Sequence, residues 1–398
     1  MDPEHFTMIT FEKACNLIEE INVPLITERV DLMGSLNRVL AEDAFSDIPV
    51  PPFDKSAMDG FACRRADLDN DLEIIEEIPA GKVPQKAIGL NQCSRIMTGG
   101  MVPSGADMVV QLEHTSETVQ GHIRCIKKSS STNICIAGED IQEGEMVLRK
   151  GEILRAQHIA ILATAGITNP LVYGPMPLAV ISTGNELVEP DVIPEKSQIR
   201  NSNGWQILAQ ATQQGYHPTF LGIVKDNQDE LKAIISEAIE KYRIVIISGG
   251  VSVGDYDYVP GVLKQLGAEC LFHGLDTKPG RHLLFSRKDN TLIFGLPGNP
   301  VSSFIQFELL IKPLLDKLKG VNQKQEVRKI PLDTDYQRKS ADQLLFIPGK
   351  ITDEETVIPL EYHGSAHIHA YSRANCIIEL PKSLTLIKKG EMINVRSL

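Results

Sequence analysis

Three glycine-rich segments contain the residues with the clearest capacity for chemistry. They are Ser182–Glu186, Ser248–Gly254 and Gly295–Ser302. Glycine lets a backbone approach a ligand and turn its N–H groups toward it, and a following helix N-terminus adds a field that favours an anion. A single glycine-rich turn is most often only a turn, since glycine dominates turns in general. Three of them in similar settings predict a site for a phosphate-type anion.

A fourth segment adds positive charge beside them. The turn Lys278-Pro279-Gly280-Arg281 precedes the third glycine-rich segment. Proline and glycine fix a tight turn that would aim two cations at one oxyanion. Such a turn is more often plain surface, but its place between a strand and the third segment favours a role in anion binding.

The absence of other motifs narrows the kind of site. The sequence has no GxxxxGK[ST] P-loop, and no GxGxxG opens a helix after the first apolar strand. It also has no serine nucleophile elbow and no HExxH pair. A P-loop NTPase, a dinucleotide-binding domain and the common hydrolases are therefore unsupported.

The elements that must position these loops are apolar runs that alternate with helical patterns. The runs are Leu178–Ile181, Phe220–Val224 and Ile244–Ile247. A helical stripe from Leu231 to Tyr242 follows the second run. This alternation predicts a doubly wound α/β domain with a parallel sheet covered on both faces. Ligands bind at the carboxyl ends of such strands, so we expect the three loops at one rim.

The rest of the chain predicts a multidomain α/β and β protein. The predicted domains are a discontinuous mixed domain (8–48 plus 142–176), an inserted β domain (49–141), the α/β domain (177–320) and a C-terminal β-barrel-like domain (321–398). Within the first, residues 10–45 are expected to form two helices broken at Val23-Pro24. Met1–Thr7 is expected to be a leader ahead of a natural start at Met8.

Composition excludes several classes of protein. The 398 residues carry 40 Lys plus Arg and 52 Asp plus Glu, a net charge of -12. Nucleic-acid binding needs a basic surface, so we expect no nucleic-acid partner. No stretch of 18 apolar residues predicts a membrane span. Seven scattered cysteines without a CxxC pair favour a reducing, cytoplasmic setting over a disulfide framework or a zinc site.

Several motifs together resemble one family, the molybdopterin molybdenumtransferases (the MoeA family, which includes the E domain of gephyrin). In chain order they are Ser56–Gly60, Ile96–Gly99, Gly138–Ile141, Ser248–Gly254, Gly295–Ser302, and Ser365 ahead of Ser372–Asn375. The resemblance covers essentially the whole chain from Met8. It implies a four-domain subunit with a molybdopterin-binding α/β domain, and a homodimer whose site is shared between subunits.

The resemblance also implies roles for individual residues, in a reaction that inserts molybdate into adenylylated molybdopterin and releases AMP. The residues implied to hold the pterin phosphate and adenylate are Thr183, Gly184, Ser248, Gly249, Gly250, Pro297, Gly298 and Asn299. Those implied to hold molybdate are Lys278, Arg281 and Ser302, with Ser365 closing over it. Those implied to bind Mg²⁺ or ligand hydroxyls are Glu186, Asp226 and Asp257. Those implied to complete the partner's site are Asp59, Thr98 and Asp140.

Some of these residues have simpler interpretations. Asp226 could cap the following helix and Asp140 could cap a turn. Thr98 lies beside two glycines, and its role could be limited to shaping a turn. Asp59 in Met58-Asp59-Gly60 has no evident capping or core role in the sequence. The remaining chemistry-bearing group is His363, His367 and His369, which we interpret as pocket rim or packing, because a fourth metal ligand at suitable spacing is missing.

Three positions depart from the family pattern. Many members have Asn at Lys55 and Lys at Arg281, and some have Arg at Cys135. Arg281 keeps the charge but presents a planar fork instead of a point charge. The lost arginine at Cys135 weakens any phosphate-binding role of that position, and we hypothesise that Lys55 replaces its charge.

Other functions stay open at this point. The related pterin adenylyltransferase is a rival enzyme, although the extra domains and the Lys278–Arg281 turn argue against it. A receptor-clustering scaffold is a second, and a paralogue that handles tungstate or an altered pterin is a third. Expected further partners are the pterin adenylyltransferase and molybdoenzyme-maturation proteins.

Overall fold

The structure is a computed structural model that describes residues 8–252, 254, 257–322 and 326–398. Residues 1–7, and with them the expected leader, lie outside the described part. Contacts divide the chain into two units, one of residues 28–172 and one of residues 8–27 with 173–398. Each unit is described by itself.

The N-terminal segment forms one helix where we predicted two. It contains α1 (Phe11–Glu20) and β1 (Thr27–Arg29). Thr10 caps α1, since its side chain accepts a hydrogen bond from Lys13 N at 3.2 Å. The second predicted helix is wrong, because residues 32–37 form turns instead. Asp31 Oδ1 accepts from Gly34 N at 2.6 Å, and such a local bond competes with a helix.

The unit of residues 28–172 is built mainly of short strands. Its further elements are β2 (Ala44–Phe45), β3 (Lys55–Ser56), β4 (Gly60–Cys63), β5 (Asp71–Ile78), β6 (Gln92–Ile96), β7 (Met108–Gln111), β8 (Thr115–Val119), β9 (His122–Cys125), β10 (Ile134–Cys135), β11 (Met146–Leu148), α2 (Ala156–Thr164) and β12 (Leu171–Tyr173). A six-stranded sheet runs in the order β7-β4-β6-β5-β9-β8. Strands β2 and β11, which flank residues 46–145, pair with each other.

The other unit contains the predicted α/β domain. Its elements are β13 (Leu178–Thr183), β14 (Leu187–Val188), β15 (Ile199–Arg200), α3 (Ser202–Gln213), β16 (Thr219–Val224), α4 (Gln228–Lys241), β17 (Ile244–Ser248), α5 (Val259–Gln265), β18 (Glu269–His273), β19 (Thr277–Lys278), β20 (Leu284–Lys288), β21 (Thr291–Leu296), α6 (Pro300–Gln306), a π-helical segment (Phe307–Ile311) and α7 (Lys312–Leu318). The three predicted apolar strands are β13, β16 and β17, and the predicted helix is α4.

The central sheet is mixed, which corrects the expected all-parallel sheet. Its order is β16-β13-β17-β21-β20-β18, and the first four strands are parallel. Strands β20 and β18 are antiparallel to their neighbours. The reason is local, since only residues 289–290 connect β20 to β21 and so short a turn can join only antiparallel strands.

Helices cover both faces of this sheet, as predicted. One buried cluster joins the sheet to α1, α3, α6 and α7, and the other joins it to α4 and α5. Because α1 belongs to the first cluster, residues 8–27 pack with the α/β domain.

The C-terminal region is a β domain, as predicted. Its strands are β22 (Arg328–Pro331), β23 (Tyr336–Gln337), β24 (Leu344–Ile351), β25 (Val357–Pro359), β26 (Cys376–Leu380), β27 (Leu386–Ile387) and β28 (Met392–Ser397). The main sheet runs β19-β24-β26-β28-β22, so it takes its edge strand from the α/β stretch. Within the described ranges, no helix has both the length and the apolar character to cross a membrane.

Candidate functional site

A cleft of about 520 Å³ opens at the carboxyl ends of β13 and β17. The chain passes from β13 to β16 on one side and then to β17 on the other, so the cleft lies where the strand order reverses. Its volume is within the range of small-molecule sites. The lining residues are Thr183, Gly184, Glu186, Leu187, Ile199, Arg200, Asn201, Ser202, Asn203, Asp226, Ser248, Gly249, Gly250, Asp257, Gly298, Asn299, Pro300 and Ala366.

All three glycine-rich loops reach this cleft, as the sequence predicts. Gly249 and Gly250 have φ values of 97° and 64°, a region that side chains other than glycine rarely adopt. A Cβ atom on Gly249 would lie 2.3 Å from the Thr183 carbonyl oxygen. Glycine is therefore required here for close packing of the first two loops.

Asp226 belongs to the cleft and does not cap the helix. Asn227 is the N-cap of α4, since its side chain accepts from Asp229 N and Glu230 N. Asp226 instead accepts hydrogen bonds from Thr183 Oγ1 at 3.0 Å and Asn185 N at 3.2 Å. It thus ties the β16 end to the first loop, and the capping interpretation of Asp226 is wrong.

The two other predicted acids also line the cleft. Asp257 Oδ2 accepts from Gly254 N at 2.8 Å. The Glu186 carboxylate lies over Gly184, 2.6 Å from where a Cβ would be. Among the described residues, no three His, Cys, Asp or Glu side chains form a group able to hold a metal ion. The predicted three-acid metal set is thus not assembled by the protein alone.

One wall of the cleft was missed by sequence reasoning. It is the segment Arg200–Asn203, at the end of β15 and the start of α3. Asn203 Nδ2 donates to Ser248 Oγ at 3.1 Å and to the Gly298 carbonyl at 2.9 Å, so it joins the second and third loops. The available signal was Asn201, a good helix-capping residue, whose side chain accepts from Gly204 N.

The Lys278–Arg281 turn lies outside the lining of this cleft, and its implied role in holding molybdate stays a prediction. Neither Lys278 nor Arg281 lines the cleft, and both are exposed. Lys278 lies on β19, which pairs with β24 of the C-terminal sheet. Buried Gln306 stabilises the turn, since its Nε2 donates a hydrogen bond to the Gly280 carbonyl. Since Gln306 ends α6, the turn is connected to the third loop through that helix.

Three other predicted residues surround the third loop without lining the cleft. Pro297 precedes the lining residue Gly298, and Ser302 is buried in the first turn of α6. The Ser365 carbonyl accepts from Val301 N at 3.0 Å, which brings the C-terminal domain to the start of α6. The next residue, Ala366, lines the cleft. This position agrees with the implied closing role of Ser365, which stays a prediction.

The predicted histidine group lies beside this contact. The rings of His363 and His367 are 5.7 Å apart and nearly perpendicular, and His367 Nδ1 is 2.9 Å from the His363 carbonyl oxygen. These contacts fold the loop that carries Ala366. They fit the rim interpretation.

Within residues 28–172, three sequence motifs converge on one another. Ser56 N donates to the Gly100 carbonyl at 2.9 Å, and Gly99 N donates to the Ser56 carbonyl at 2.8 Å. Gly138 N donates to the Pro51 carbonyl at 2.9 Å, which places the third motif beside the segment before the first. Ser56–Gly60, Ile96–Gly99 with the adjoining Gly100, and Gly138–Ile141 thus form one motif cluster.

Asp59 and Thr98 are direct partners in this cluster. Asp59 Oδ1 accepts from both the backbone N and the Oγ1 of Thr98, each at 2.7 Å. These bonds hold the pKa of Asp59 below its usual value. Asp59 therefore does cap a turn, which corrects the sequence interpretation, and it stays ionised while exposed.

Asp140 and the two unusual positions lie in the same cluster. The Asp140 side chain is exposed, and the turn is capped instead by Glu139, whose Oε2 accepts from Ile136 N at 3.0 Å. Lys55 and Cys135 are cross-strand partners in the β3–β10 pair. Lost solvation and Glu139 raise the pKa of the Cys135 thiol, while Lys55 acts in the opposite sense. This proximity is what charge replacement by Lys55 would require.

Comparison with known proteins identifies the family. Family models match residues 9–166 (MoeA N-terminal region, domain I and II), 179–317 (probable molybdopterin binding domain) and 330–398 (MoeA C-terminal region, domain IV). A molybdopterin molybdenumtransferase of Staphylococcus aureus (strain MRSA252) is 37% identical over 95% of this chain and 92% of its own length. The chain belongs to the MoeA family of molybdopterin molybdenumtransferases.

Further relatives extend this similarity over the full length of the family's fold. A Staphylococcus epidermidis molybdopterin molybdenumtransferase is 36% identical over 99% of this chain and 97% of its own length. The crystal structure of a molybdopterin biosynthesis MoeA protein from Pyrococcus horikosii superimposes with a TM-score of 0.86 at 30% identity. It covers 98% of this chain and 99% of that chain. The predicted family and multidomain fold are therefore confirmed.

Proposed function

We propose that this protein inserts molybdate into adenylylated molybdopterin and releases AMP, in molybdenum-cofactor biosynthesis. The observation that best supports it is the convergence of all three glycine-rich loops and three carboxylates on one cleft at the strand-order reversal. Membership of the family supplies the identity of the reaction.

The cleft residues would act by positioning and by compensating charge. The second loop is bent at Gly249 and Gly250, so that its backbone can approach a phosphate closely. Asn203 keeps this loop in a fixed relation to Gly298. Two Mo–S bonds form at the pterin dithiolene as two oxygens leave molybdate, and the phosphoanhydride between the pterin phosphate and AMP breaks. In net balance, the cleaved anhydride takes up one of these oxygens and the other leaves as water, and cleavage of the anhydride drives the transfer. Holding two anions together is the main contribution required, so no covalent nucleophile is needed.

We propose Mg²⁺ as the cofactor. The oxygen donors available in the cleft are Glu186, Asp226 and Asp257. Mg²⁺ commonly uses one or two protein carboxylates, with phosphate and water completing its octahedron. A complete three-acid site is therefore unnecessary. When bound, the ion would neutralise phosphate charge, while the carboxylates orient it.

We propose a cytoplasmic homodimer in which Asp59, Thr98 and Asp140 of one subunit complete the cleft of the other. The exposed carboxylates of Asp59 and Asp140 support this, because both belong to family motifs and neither lines the cleft of the α/β domain. The pterin adenylyltransferase and molybdoenzyme-maturation proteins are the proposed further partners.

The first test is AMP release from purified pterin adenylate with Mg²⁺, with and without molybdate. We expect molybdate-dependent release by the wild type and a loss of about tenfold or more for Asp59→Ala, since an exposed carboxylate that orients a substrate is removed. Asp69→Ala is the matched control, because Asp69 is also exposed and its partner among the described residues is Lys128. Retained activity in Asp59→Ala would contradict the role of Asp59.

The same assay separates the rival functions. ATP turnover with free pterin would favour the adenylyltransferase. Bound adenylate without release under any condition would favour a scaffold. Release with tungstate but not with molybdate would favour the altered-metal paralogue.

The shared site predicts complementation between inactive subunits. Asp59→Ala and Asp226→Asn subunits, unfolded and refolded together in equal amounts, should regain about a quarter of wild-type activity, because half of the dimers are hybrids with one intact site. Each variant refolded alone is the control. If every site were built within one subunit, the mixture would be no more active than the two variants separately.

A further inference from the structure

The charges around the cleft are unbalanced. Among the described lining residues there are three carboxylates, Glu186, Asp226 and Asp257, and one cation, Arg200. A phosphate entering this cleft is repelled by the carboxylates unless the proposed Mg²⁺ or a protein cation faces it. The cations that the sequence assigned to anion binding, Lys278 and Arg281, do not line the cleft.

Arg200 is held in a way that suits it to this task. It ends β15, where it pairs with Val188 of β14. Its Nε donates to the Val192 carbonyl at 3.1 Å. This bond orients the guanidinium plane, while in the described structure neither Nη group has a hydrogen-bond or ion-pair partner. Two free, parallel N–H donors are the arrangement that binds phosphate oxygens in pairs.

A second observation points to a ligand at the same wall. Asn201 and Asn203 line the cleft and are only 1% and 8% exposed. Asn201 Nδ2 and Asn203 Oδ1 are buried with no hydrogen-bond partner among the described residues. Leaving buried polar atoms unpaired is costly, so such atoms are usually satisfied by a ligand or water. One is a donor and the other an acceptor, which suits a ligand with both phosphate oxygens and N–H or O–H groups.

We propose that Arg200 is the cation that binds the substrate's phosphate in this cleft, with Asn201 and Asn203 as polar partners on the same wall. The inference rests on the proposed function and adds a specificity-determining residue to it. It makes the Arg200–Asn203 segment the phosphate-recognising wall, and leaves the Lys278–Arg281 turn for another anion.

The test is a titration with AMP as the probe, followed by the fluorescence of Trp205. This is the single tryptophan of the chain, is 52% exposed and lies on α3 two residues beyond Asn203. Calorimetry on the same samples provides a measurement independent of the fluorophore. We expect Arg200→Gln to weaken AMP binding about 10- to 100-fold, the usual size for a lost charged hydrogen bond. Arg200→Lys should lose less AMP affinity, because lysine keeps the positive charge but lacks the paired N–H donors of the guanidinium group.

Controls separate phosphate binding from a structural role in the loop. Adenosine lacks the phosphate, so its affinity should be the same for the wild type and Arg200→Gln. Lys196 is an exposed cation between β14 and β15 that does not line the cleft, so Lys196→Gln should leave AMP affinity unchanged. The salt dependence of AMP binding should also be shallower in Arg200→Gln.

Two results would overturn the inference. One is unchanged AMP affinity in Arg200→Gln, and the other is an equal loss of affinity for AMP and adenosine, which would show that Arg200 only shapes the loop. If the wild type released AMP in response to molybdate while Arg200→Gln kept the same kcat/KM, the inference alone would fail. If the wild type neither bound AMP nor released it, the proposed function itself would fail.

Discussion

Gly249→Ala should reduce AMP affinity about 100-fold and lower the free energy of unfolding. The added Cβ would lie 2.3 Å from the Thr183 carbonyl oxygen, which is backbone and cannot rotate away. A φ of 97° adds strain on the order of 1–2 kcal/mol for a residue with a Cβ. The first two loops must therefore separate, and a displacement of about 1 Å at a site of this kind costs about 100-fold.

The measurement for Gly249→Ala combines AMP titration with thermal unfolding. Gly222→Ala is the matched control, since Gly222 has a similar φ of 103° but no atom within 4 Å of the added Cβ. Gly222→Ala therefore introduces the same backbone strain as Gly249→Ala but no steric overlap with a neighbouring atom. Equal behaviour of the two variants would show that the close approach of Gly249 to Thr183 is unimportant for binding.

Asp226→Asn should lower the rate of AMP release about 100-fold while leaving the fold intact. The asparagine amide can keep both contacts, because its Oδ1 can accept from Asn185 N while its Nδ2 donates to Thr183 Oγ1. The substitution therefore removes the charge and little else. Losing one electrostatic group in a catalytic site costs on the order of 100-fold in rate.

The Mg²⁺ dependence distinguishes what the Asp226 charge does. If Asp226 orients the ion, the variant should need a higher Mg²⁺ concentration for half-maximal rate, with an unchanged melting temperature. Asp229→Asn, on the first turn of α4 but outside the cleft lining, should behave as the wild type. An equal loss in Asp229→Asn, or a wild-type rate in Asp226→Asn, would remove Asp226 from the proposed mechanism.

The sequence by itself determined the α/β domain and the rim at which its loops meet. Apolar strands such as Ile244–Ile247 and the helical stripe from Leu231 are local patterns, and each element forms according to its own residues. The positions of the glycine-rich loops then follow from the rule that parallel strands end at one edge. The family motifs were also legible in the sequence, since they are contiguous.

Only the tertiary structure decided which side chains share the cleft. Arg200–Asn203 form a wall of the cleft because β15 pairs with β14, which follows the first glycine-rich loop. No local sequence pattern predicts that pairing. Asp59 and Thr98 are 39 residues apart and meet through the pairing of β4 with β6. Lys278 and Arg281 lie outside the lining because β19 joins the C-terminal sheet. Such contacts depend on strand pairing and packing between distant segments, whereas composition and spacing report only on neighbours along the chain.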